Sequence, residues 1–151
     1  MKLMYQKLRP DACDPVQGYP GDLGVDVCTP EAFEIAPGGS YQVDTGLRIR
    51  LPELPAAWAD DFQLGCFVWA KSGLSVRSNI ETGAGVVDPN YTGSLRIQLY
   101  NHSDCPVAFE AGQKIAQLVL TVCPRLTGII ESDLSDWATA RGAQGFGSSG
   151  A

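Results

Sequence analysis

Apolar residues recur at every second position in three separate stretches of this sequence. They occupy most odd positions of YQVDTGLRIRL, residues 41–51, and of SLRIQLY, residues 94–100. In IAQLVLTV, residues 115–122, the even positions from Ala116 to Val122 are all apolar. Side chains that alternate with a period of two predict β-strands with one buried face, so these stretches indicate sheet rather than helix.

Turn-forming residues separate the predicted strands. The chain contains 10 prolines and 17 glycines, and the segments APGGS, DPNYTG and EAGQ hold the residues that β-turns prefer. One short helical turn is expected in LPAAWADDF, and little else in the sequence indicates a helix. We therefore predict a single all-β domain built as a sandwich, a jelly roll or a barrel.

The bulk composition is that of a globular domain. The chain has 151 residues, of which 44% are hydrophobic and 19% charged, so it can bury a sizeable core and is not a disordered sequence. Its net charge of −6 disfavours nucleic acid as a partner, because proteins that bind nucleic acid use basic surfaces to neutralise phosphates. No stretch approaches the roughly 20 apolar residues of a membrane span, and the first residues do not resemble a signal peptide. We expect a cytoplasmic protein that is not secreted.

The cysteines and the histidine do not indicate a metal site or a nucleophile. The five cysteines are widely spaced, and none forms a CxxC pair, which disfavours a disulfide framework and a zinc site. They are expected to be reduced, small hydrophobic residues. The single histidine, His102, lies in the turn-like segment YNHSDCP, so a Ser-His or Cys-His arrangement is not expected.

Two segments differ from plain β structure. In the first, Lys71, Ser72 and Gly73 offer an ammonium group, a hydroxyl and an unhindered amide in sequence, which together can bind an anion. An ordinary surface turn is the alternative. The second segment, residues 81–95, contains two glycines that permit close approach to the backbone, followed by Asp88. From this segment alone, the favoured role of Asp88 is an Asx turn that organises the hairpin.

Five segments of the chain, the last of them at its C-terminal end, resemble in order the five motifs of the trimeric dUTP pyrophosphatases (dUTPases). The motifs are YPGDLGVDV, AKSGL, GAGVVDPNYTG, AGQKIAQLVL and RGAQGFGSSG. The resemblance runs from Lys2 to Ala151 with order and spacing intact. It implies a homotrimeric jelly roll or distorted β-barrel over residues 1–140 and a mobile glycine-rich arm over residues 141–151. Each active site would lie at a subunit interface, covered by the arm of another subunit.

The resemblance implies hydrolysis of dUTP to dUMP and pyrophosphate. Water would attack the α-phosphorus, and Asp88 occupies the position of the general base that activates this water. Tyr91 would pack under the sugar and exclude a 2′-hydroxyl by crowding. Uracil would be recognised by the backbone of the hairpin that runs from about Thr82 to Arg96. Within this hairpin, Gly85, Val86 and Arg96 are the implied contributors to uracil recognition. They would act through main-chain atoms.

The resemblance implies contacts to the triphosphate from Lys71, Ser72 and Gly73 of the second motif. It implies a further contact from Gln117 of the fourth motif. The second motif more often begins with arginine, so Lys71 lacks the planar fork of that side chain. A structural role within its strand is the alternative for Gln117. Mg²⁺ would bridge phosphate oxygens, and Asp26 would touch the water shell of the ion. A structural carboxylate at the subunit interface is an equal alternative for Asp26.

The arm would close the site. By resemblance, Phe146 would stack on the uracil ring, Arg141 would reach the far phosphates, and Gly147, Ser148 and Ser149 would offer amides and hydroxyls to the γ-phosphate. A glycine-rich segment can become ordered over a bound nucleotide and open again to release the product. The alternative is an unstructured terminus, which is common in proteins.

Two other functions stay open. A dCTP deaminase of the same fold shares a hairpin like the third motif but lacks such an arm, and ammonia release from dCTP would reveal it. A regulator with this fold would use nucleotide-dependent ordering of the arm to control a protein partner. A pull-down with and without a non-hydrolysable dUTP analogue tests that function.

Overall fold

The computed structural model describes residues 1–143 of the chain, and strands dominate them. Twelve strands and two short helices follow one another in this part of the chain. They are β1 Met4–Lys7, β2 Val16–Gln17, β3 Gly24–Cys28, β4 Phe33–Ile35, β5 Ser40–Asp44, β6 Leu47–Arg50, α1 Ala56–Ala59, β7 Phe62–Ala70, α2 Ser72–Ser78, β8 Ile80–Gly83, β9 Val86–Val87, β10 Arg96–Asn101, β11 Val107–Phe109 and β12 Lys114–Pro124. The prediction of an all-β domain is confirmed.

The strands of the described residues form four antiparallel sheets. The largest has the order β2-β3-β12-β7-β9, and the next has the order β5-β10-β8. Strand pairs β1-β6 and β4-β11 make the other two sheets. Each sheet contributes to one hydrophobic core, to which Leu118, Leu99, Ile49 and Phe109 belong. The sheets therefore enclose a shared interior, as expected of a sandwich, jelly roll or barrel.

The alternating stretch at residues 41–51 is divided into two strands, β5 and β6, by a turn at Thr45 and Gly46. Gly46 has a φ of 68°, and a Cβ there would lie 2.3 Å from Cγ of Arg9. Both the backbone conformation and the close contact therefore require glycine. The Thr45 hydroxyl donates to the carbonyl of Leu95 at 2.8 Å, which ties this turn to the segment before β10.

Strand β12 departs from strict alternation at its start. Its register with β3 shifts between Lys114 and Ala116, and both Ile115 and Ala116 are fully buried. A β-bulge inserts one extra residue into a strand and so lets two consecutive side chains face the core. The predicted alternation from Ala116 onward is confirmed for Leu118, which is also fully buried.

The prediction of one helical turn in LPAAWADDF is confirmed by α1, whereas α2 was not predicted. The turn expected at Lys71, Ser72 and Gly73 is in fact the start of this second helix. Serine and glycine are weak helix formers, so local propensity does not reveal α2. Leu74 packs against the core and anchors the helix. Within residues 1–143, neither helix has the length and hydropathy needed to cross a membrane.

After β12, residues 125–143 form no strand or helix. Several large apolar side chains of this segment are exposed: Leu126, Ile129, Ile130, Leu134 and Trp137. So many large apolar side chains exposed within one segment are typical of a surface that another molecule covers. The predicted boundary between a body at 1–140 and an arm at 141–151 stays a prediction.

Candidate active site

The hairpin of the third motif is fixed to strand β7 through its backbone. Strand β9 pairs with β7, with Val86 opposite Phe67. The N–H of Val68 donates to the carbonyl of Gly85 at 2.7 Å. A Cβ at Gly85 would lie 3.2 Å from the carbonyl oxygen of Val68, so a side chain at this position would crowd the contact. This agrees with the prediction that glycine here permits close approach to the backbone.

Ala84 adopts an uncommon conformation at the turn between β8 and β9. Its φ is 50°, in the left-handed region that residues with a side chain rarely occupy. Such backbone strain occurs preferentially at functional sites. Sequence reasoning missed this residue, because nothing in the sequence distinguishes an alanine in the left-handed region from any other alanine.

A cavity of about 160 Å³ opens beside this turn. Its lining residues are Ala84, Val86, Val87, Asp88, Tyr91, Leu95 and Arg96. Four of the predicted site residues therefore line one cavity: Val86, Asp88, Tyr91 and Arg96. Thr82 and Gly85 belong to the same hairpin but are not among the lining residues.

Asp88 is exposed at this cavity. Its carbonyl accepts the N–H of Tyr91 at 3.0 Å, so the turn that follows is closed by the backbone. Within residues 1–143 the Asp88 carboxylate accepts no hydrogen bond, and the Asx turn considered from the sequence is not formed. Asp88 also lines a larger cavity of about 940 Å³, whose cations are Arg50 and Arg125. The carboxylate is therefore available to a molecule that enters either cavity.

The ring of Tyr91 is held at the tip of the hairpin. Its hydroxyl donates to the carbonyl of Ser94 at 2.9 Å. A Cβ at Gly93 would lie 2.4 Å from the Tyr91 hydroxyl oxygen, so the ring rests directly on the backbone of this glycine. A ring fixed in this way forms a rigid wall of the cavity.

Asp44 forms an ion pair with Arg96 that was not predicted. The two residues are paired across β5 and β10, and Nε of Arg96 lies 3.8 Å from Oδ2 of Asp44. The Ser94 hydroxyl donates to the other carboxylate oxygen, and the N–H of Gly46 donates to the same oxygen at 2.9 Å. These hydrogen bonds, with the charge of Arg96, lower the pKa of Asp44, although partial burial opposes them. Only the strand pairing reveals this contact, because the residues are far apart in sequence.

A second group of polar residues lies where β3, the end of β7 and the start of β12 come together. Asp26 is 5% exposed, and its two oxygens bind two ammonium groups. Lys71 donates to Oδ1, and Nζ of Lys114 lies 2.8 Å from Oδ2. Burial alone would raise the pKa of Asp26, but the hydrogen bonds from Lys114 and Lys71 outweigh it and hold this pKa below its ordinary value. The same pairing raises the pKa of Lys114.

The start of α2 presents backbone amides beside this group. The first hydrogen bond within the helix runs from the N–H of Leu74 to the carbonyl of Lys71 at 2.9 Å. Ser72 and Gly73 precede it and are exposed, and a Cβ at Gly73 would meet nothing within 4 Å. Their N–H groups thus have no acceptor inside the helix, and the space beside Gly73 is open, so an anion can approach.

Gln117 supports the same group from the neighbouring strand. Its side-chain amide donates to the carbonyl of Ala70 at 3.0 Å, next to Lys71. A Cβ at Gly24 would lie 2.1 Å from its Oε1, so the glutamine packs tightly on β3. The contacts inside one chain favour the structural role that the sequence left open for Gln117.

Comparison with known proteins gives the same family as the motifs. A family model described as dUTPase matches residues 11–150. The chain belongs to the dUTPase family. It is 36% identical over 152 residues to the probable deoxyuridine 5′-triphosphate nucleotidohydrolase of Schizosaccharomyces pombe, with 99% of each chain covered. Identity to the deoxyuridine 5′-triphosphate nucleotidohydrolase of Thermobifida fusca is also 36%, over 99% of this chain and 79% of that one.

The fold of the family is also found among solved structures. A mutant of the Staphylococcus bacteriophage 80alpha dUTPase, solved with dUpNHpp, superposes with a TM-score of 0.80 at 22% identity and covers 99% of both chains. The predicted fold class, an all-β domain of the dUTPase type, is therefore confirmed.

In a single chain, the family motifs form two groups instead of one site. The hairpin cavity is lined by Asp88, Tyr91 and Arg96 but not by Lys71 or Gln117. The group around Asp26 collects the residues of the first, second and fourth motifs.

The fifth motif lies mostly beyond the described residues. Arg141 is exposed within the described part. The predicted contacts of Phe146, Gly147 and Ser148 lie outside residues 1–143, as does the contact of Ser149. Their roles, like those of the other site residues, stay predictions.

Proposed function

We propose that this chain hydrolyses dUTP to dUMP and pyrophosphate, with Asp88 as the general base. The observation that carries the proposal is the exposed Asp88 carboxylate in one cavity with Tyr91 and Arg96. The carboxylate holds no hydrogen bond within residues 1–143, so a water molecule can bind to it without displacing a side chain. The dUTPase family model and the names of the two curated relatives favour hydrolysis over deamination of dCTP.

In the proposed reaction, Asp88 accepts a proton from water as the water oxygen bonds to the α-phosphorus. The bond from the α-phosphorus to the bridging oxygen breaks, and pyrophosphate leaves with the electron pair. A well-placed general base contributes roughly 10²–10⁴-fold to the rate. Because Asp88 is exposed in the single chain, closure over the nucleotide has to exclude bulk water from this step.

Selection of deoxyuridine rests on the hairpin. The ring of Tyr91, held by the Ser94 carbonyl and the Gly93 backbone, would crowd a 2′-hydroxyl. The backbone around Gly85 and Val86 is fixed by its bonds to β7, so its remaining amide and carbonyl groups can read uracil without rearrangement. Cytosine presents the opposite donor and acceptor pattern and would leave these groups unpaired once the bound nucleotide has covered them.

The triphosphate would bind at the start of α2, in the site of another subunit or of the same one. Lys71 would supply a positive charge, and the free amides of Ser72 and Gly73 would donate to phosphate oxygens. Donors fixed in advance are effective here, because negative charge moves onto the leaving pyrophosphate in the transition state. Gln117 would affect the triphosphate indirectly, because its side-chain amide holds the carbonyl of Ala70, the residue before Lys71.

Mg²⁺ fits as an ion carried by the triphosphate. Residues 1–143 contain no cluster of three or more side chains of the types His, Cys, Asp and Glu that could hold a metal alone. Both oxygens of Asp26 are bound by lysines, so this carboxylate fits a contact through water and not direct ligation. When bound, Mg²⁺ neutralises charge on the phosphate oxygens.

Assembly as a homotrimer is part of the proposal. The single chain exposes Ile129, Ile130 and Trp137 at 94%, 87% and 73%. A neighbouring subunit that packs over this segment would remove these apolar surfaces from water. Two separate groups of motif residues in one chain are also what a site shared between subunits requires.

The proposal is tested by pyrophosphate release in the presence of Mg²⁺. We expect rapid release from dUTP and release that is slower by at least about 10²-fold from dCTP, dTTP and UTP. Asp88→Asn should lose about 10²–10⁴-fold in turnover, because its amide cannot accept the proton, while nucleotide binding persists. Comparable rates for the four nucleotides, ammonia release from dCTP, or near-normal turnover by Asp88→Asn would contradict the proposal.

A further inference from the structure

The ring of Tyr91 borders open space in two directions. It lines the hairpin cavity of about 160 Å³ and also a second cavity of about 420 Å³, which lies against β1 and β6. The backbone of Gly93 supports the hydroxyl end of the ring, but 46% of the surface of Tyr91 is exposed. Packing alone therefore does not hold the ring in place, and its position depends on the hydrogen bond from its hydroxyl to the carbonyl of Ser94.

The residue that accepts this hydrogen bond is itself tethered by Asp44. The Ser94 hydroxyl donates to Oδ1 of Asp44, and the N–H of Gly46 donates to the same oxygen at 2.9 Å. The hydrogen bond from Ser94 is the main cause that lowers the pKa of Asp44, so this carboxylate is charged at neutral pH. A hydrogen bond to a charged acceptor is stronger than one between neutral groups, which makes the tether firm.

The neighbouring residue, Leu95, is held by other bonds. Its N–H donates to the carbonyl of Leu47 at 2.6 Å. Its carbonyl accepts the backbone N–H of Thr45 at 3.1 Å and the hydroxyl of the same residue at 2.8 Å. None of these bonds uses the carboxylate of Asp44. Loss of that carboxylate would therefore release Ser94 and the ring of Tyr91 while the start of β10 stays anchored.

We infer that Asp44 is a positioning residue for sugar selection, which acts through Ser94 to hold the Tyr91 ring against the 2′ position of the bound nucleotide. Selection by steric crowding requires a wall that does not yield to the added hydroxyl. Asp44 is not among the residues that line the hairpin cavity, so it acts on the sugar only through other residues. This inference rests on the proposed function and deepens its account of how deoxyuridine is selected.

The test measures binding, so that it does not depend on turnover. The probes are dUpNHpp and UpNHpp, the imido analogues of dUTP and UTP, titrated calorimetrically into the full chain with Mg²⁺. The readout is the ratio of the two dissociation constants. We expect Asp44→Ala to reduce the preference for dUpNHpp by about tenfold, mainly because UpNHpp binds more tightly once the ring can yield. A merely structural role would weaken the binding of both analogues equally.

Companion variants identify the route from Asp44 to the ring. Asp44→Asn keeps an oxygen that can accept from Ser94 and Gly46, so it should retain most of the preference. Tyr91→Phe lacks the hydroxyl and should lose about as much preference as Asp44→Ala. Combining the two substitutions should cause no further loss, because both act on the same hydrogen bond. Asp61→Ala, which removes an exposed carboxylate elsewhere, is the matched control and should keep the full preference.

Four outcomes would overturn the inference, once circular dichroism shows that the variants are folded. They are a full preference in Asp44→Ala, an equal loss of affinity for both analogues, a loss in Asp44→Asn as large as in Asp44→Ala, and additive losses in the double variant. An unmodified chain without a preference for dUpNHpp would also overturn it.

The same experiment distinguishes failure of the inference from failure of the proposed function. If the unmodified chain prefers dUpNHpp and the variants behave as expected, the inference holds even when no pyrophosphate is released from dUTP, and only the proposed hydrolysis is refuted. If the unmodified chain hydrolyses dUTP and Asp44→Ala keeps its preference, only the inference is refuted. A chain that binds neither analogue would refute both.

Discussion

Within residues 1–143, Asp26 is the one charged residue that is buried, and each of its carboxylate oxygens is paired with a lysine. We expect Asp26→Asn to lower the free energy of unfolding by about 2 kcal/mol, because the lysines lose their shared counter-charge and repel one another. Urea denaturation at neutral pH measures the loss. Asp61→Asn is the matched control, since Asp61 is exposed and its carboxylate makes no ion pair within the described residues. Equal losses in the two variants would contradict the assigned role.

The same residue predicts how stability depends on pH. The pKa of Asp26 is lowered in the folded chain, so the unfolded chain binds the proton more readily in acid. Its contribution is therefore complete above the ordinary pKa, and it is lost as the pH falls below about 4. Asp44, whose pKa is also lowered, adds to this loss. The free energy of unfolding should fall less steeply with acid in Asp26→Asn than in the unmodified chain.

At the scale of residues, the sequence predicted which side chains come together only where they lie on one hairpin. Asp88, Tyr91 and Arg96 share one cavity as expected, because they lie close together along one hairpin. The lysine pair on Asp26 and the contact from Asp44 to Arg96 were not predictable, because both join residues on different strands. The sequence therefore indicated proximity along one hairpin, whereas contacts between strands depend on the strand register.

Helix α2 carries the amides of the second motif, and its end depends on Asn79. This residue has a φ of 53°, and its N–H donates to the carbonyls of Leu74 and Ser75. Asparagine tolerates the left-handed region, alanine does so poorly, and glycine does so without strain. We expect Asn79→Ala to lower the free energy of unfolding by about 1 kcal/mol and Asn79→Gly to change it by less than about 0.5 kcal/mol. Urea denaturation of both variants tests this, and equal losses would refute the role of the conformation.

At the scale of elements, strands were predictable where one face is buried and the other is exposed. That condition holds in β10, and it fails at the start of β12, where the bulge buries Ile115 as well. Helix α2 was missed for another reason. Its seven residues include Gly73 and three serines, and it is anchored by the packing of Leu74 rather than by propensity.

At the scale of the whole molecule, the two groups of motif residues in one chain have to come together in one site. The exposed apolar segment after β12 and the arm that follows favour assembly with other subunits. If the arm of one subunit closes over the Asp88 of another, two inactive variants can complement each other. One is Asp88→Asn with an intact arm, and the other is a chain truncated after Ala140 that keeps Asp88.

We expect each variant alone to release almost no pyrophosphate from dUTP. The two variants are unfolded together in equal amounts and refolded. At each site, the subunit that supplies residue 88 and the subunit that supplies the arm are then combined at random. Half of the sites have Asp88 and half of those have an arm, so activity should recover to about a quarter of that of the unmodified protein. Native mass spectrometry confirms that mixed trimers are present. If mixed trimers form and activity stays absent, the arm serves the subunit to which it belongs, because only then does no site receive both parts. Recovery well above a quarter would contradict the independent assembly of the two variants on which this expectation depends.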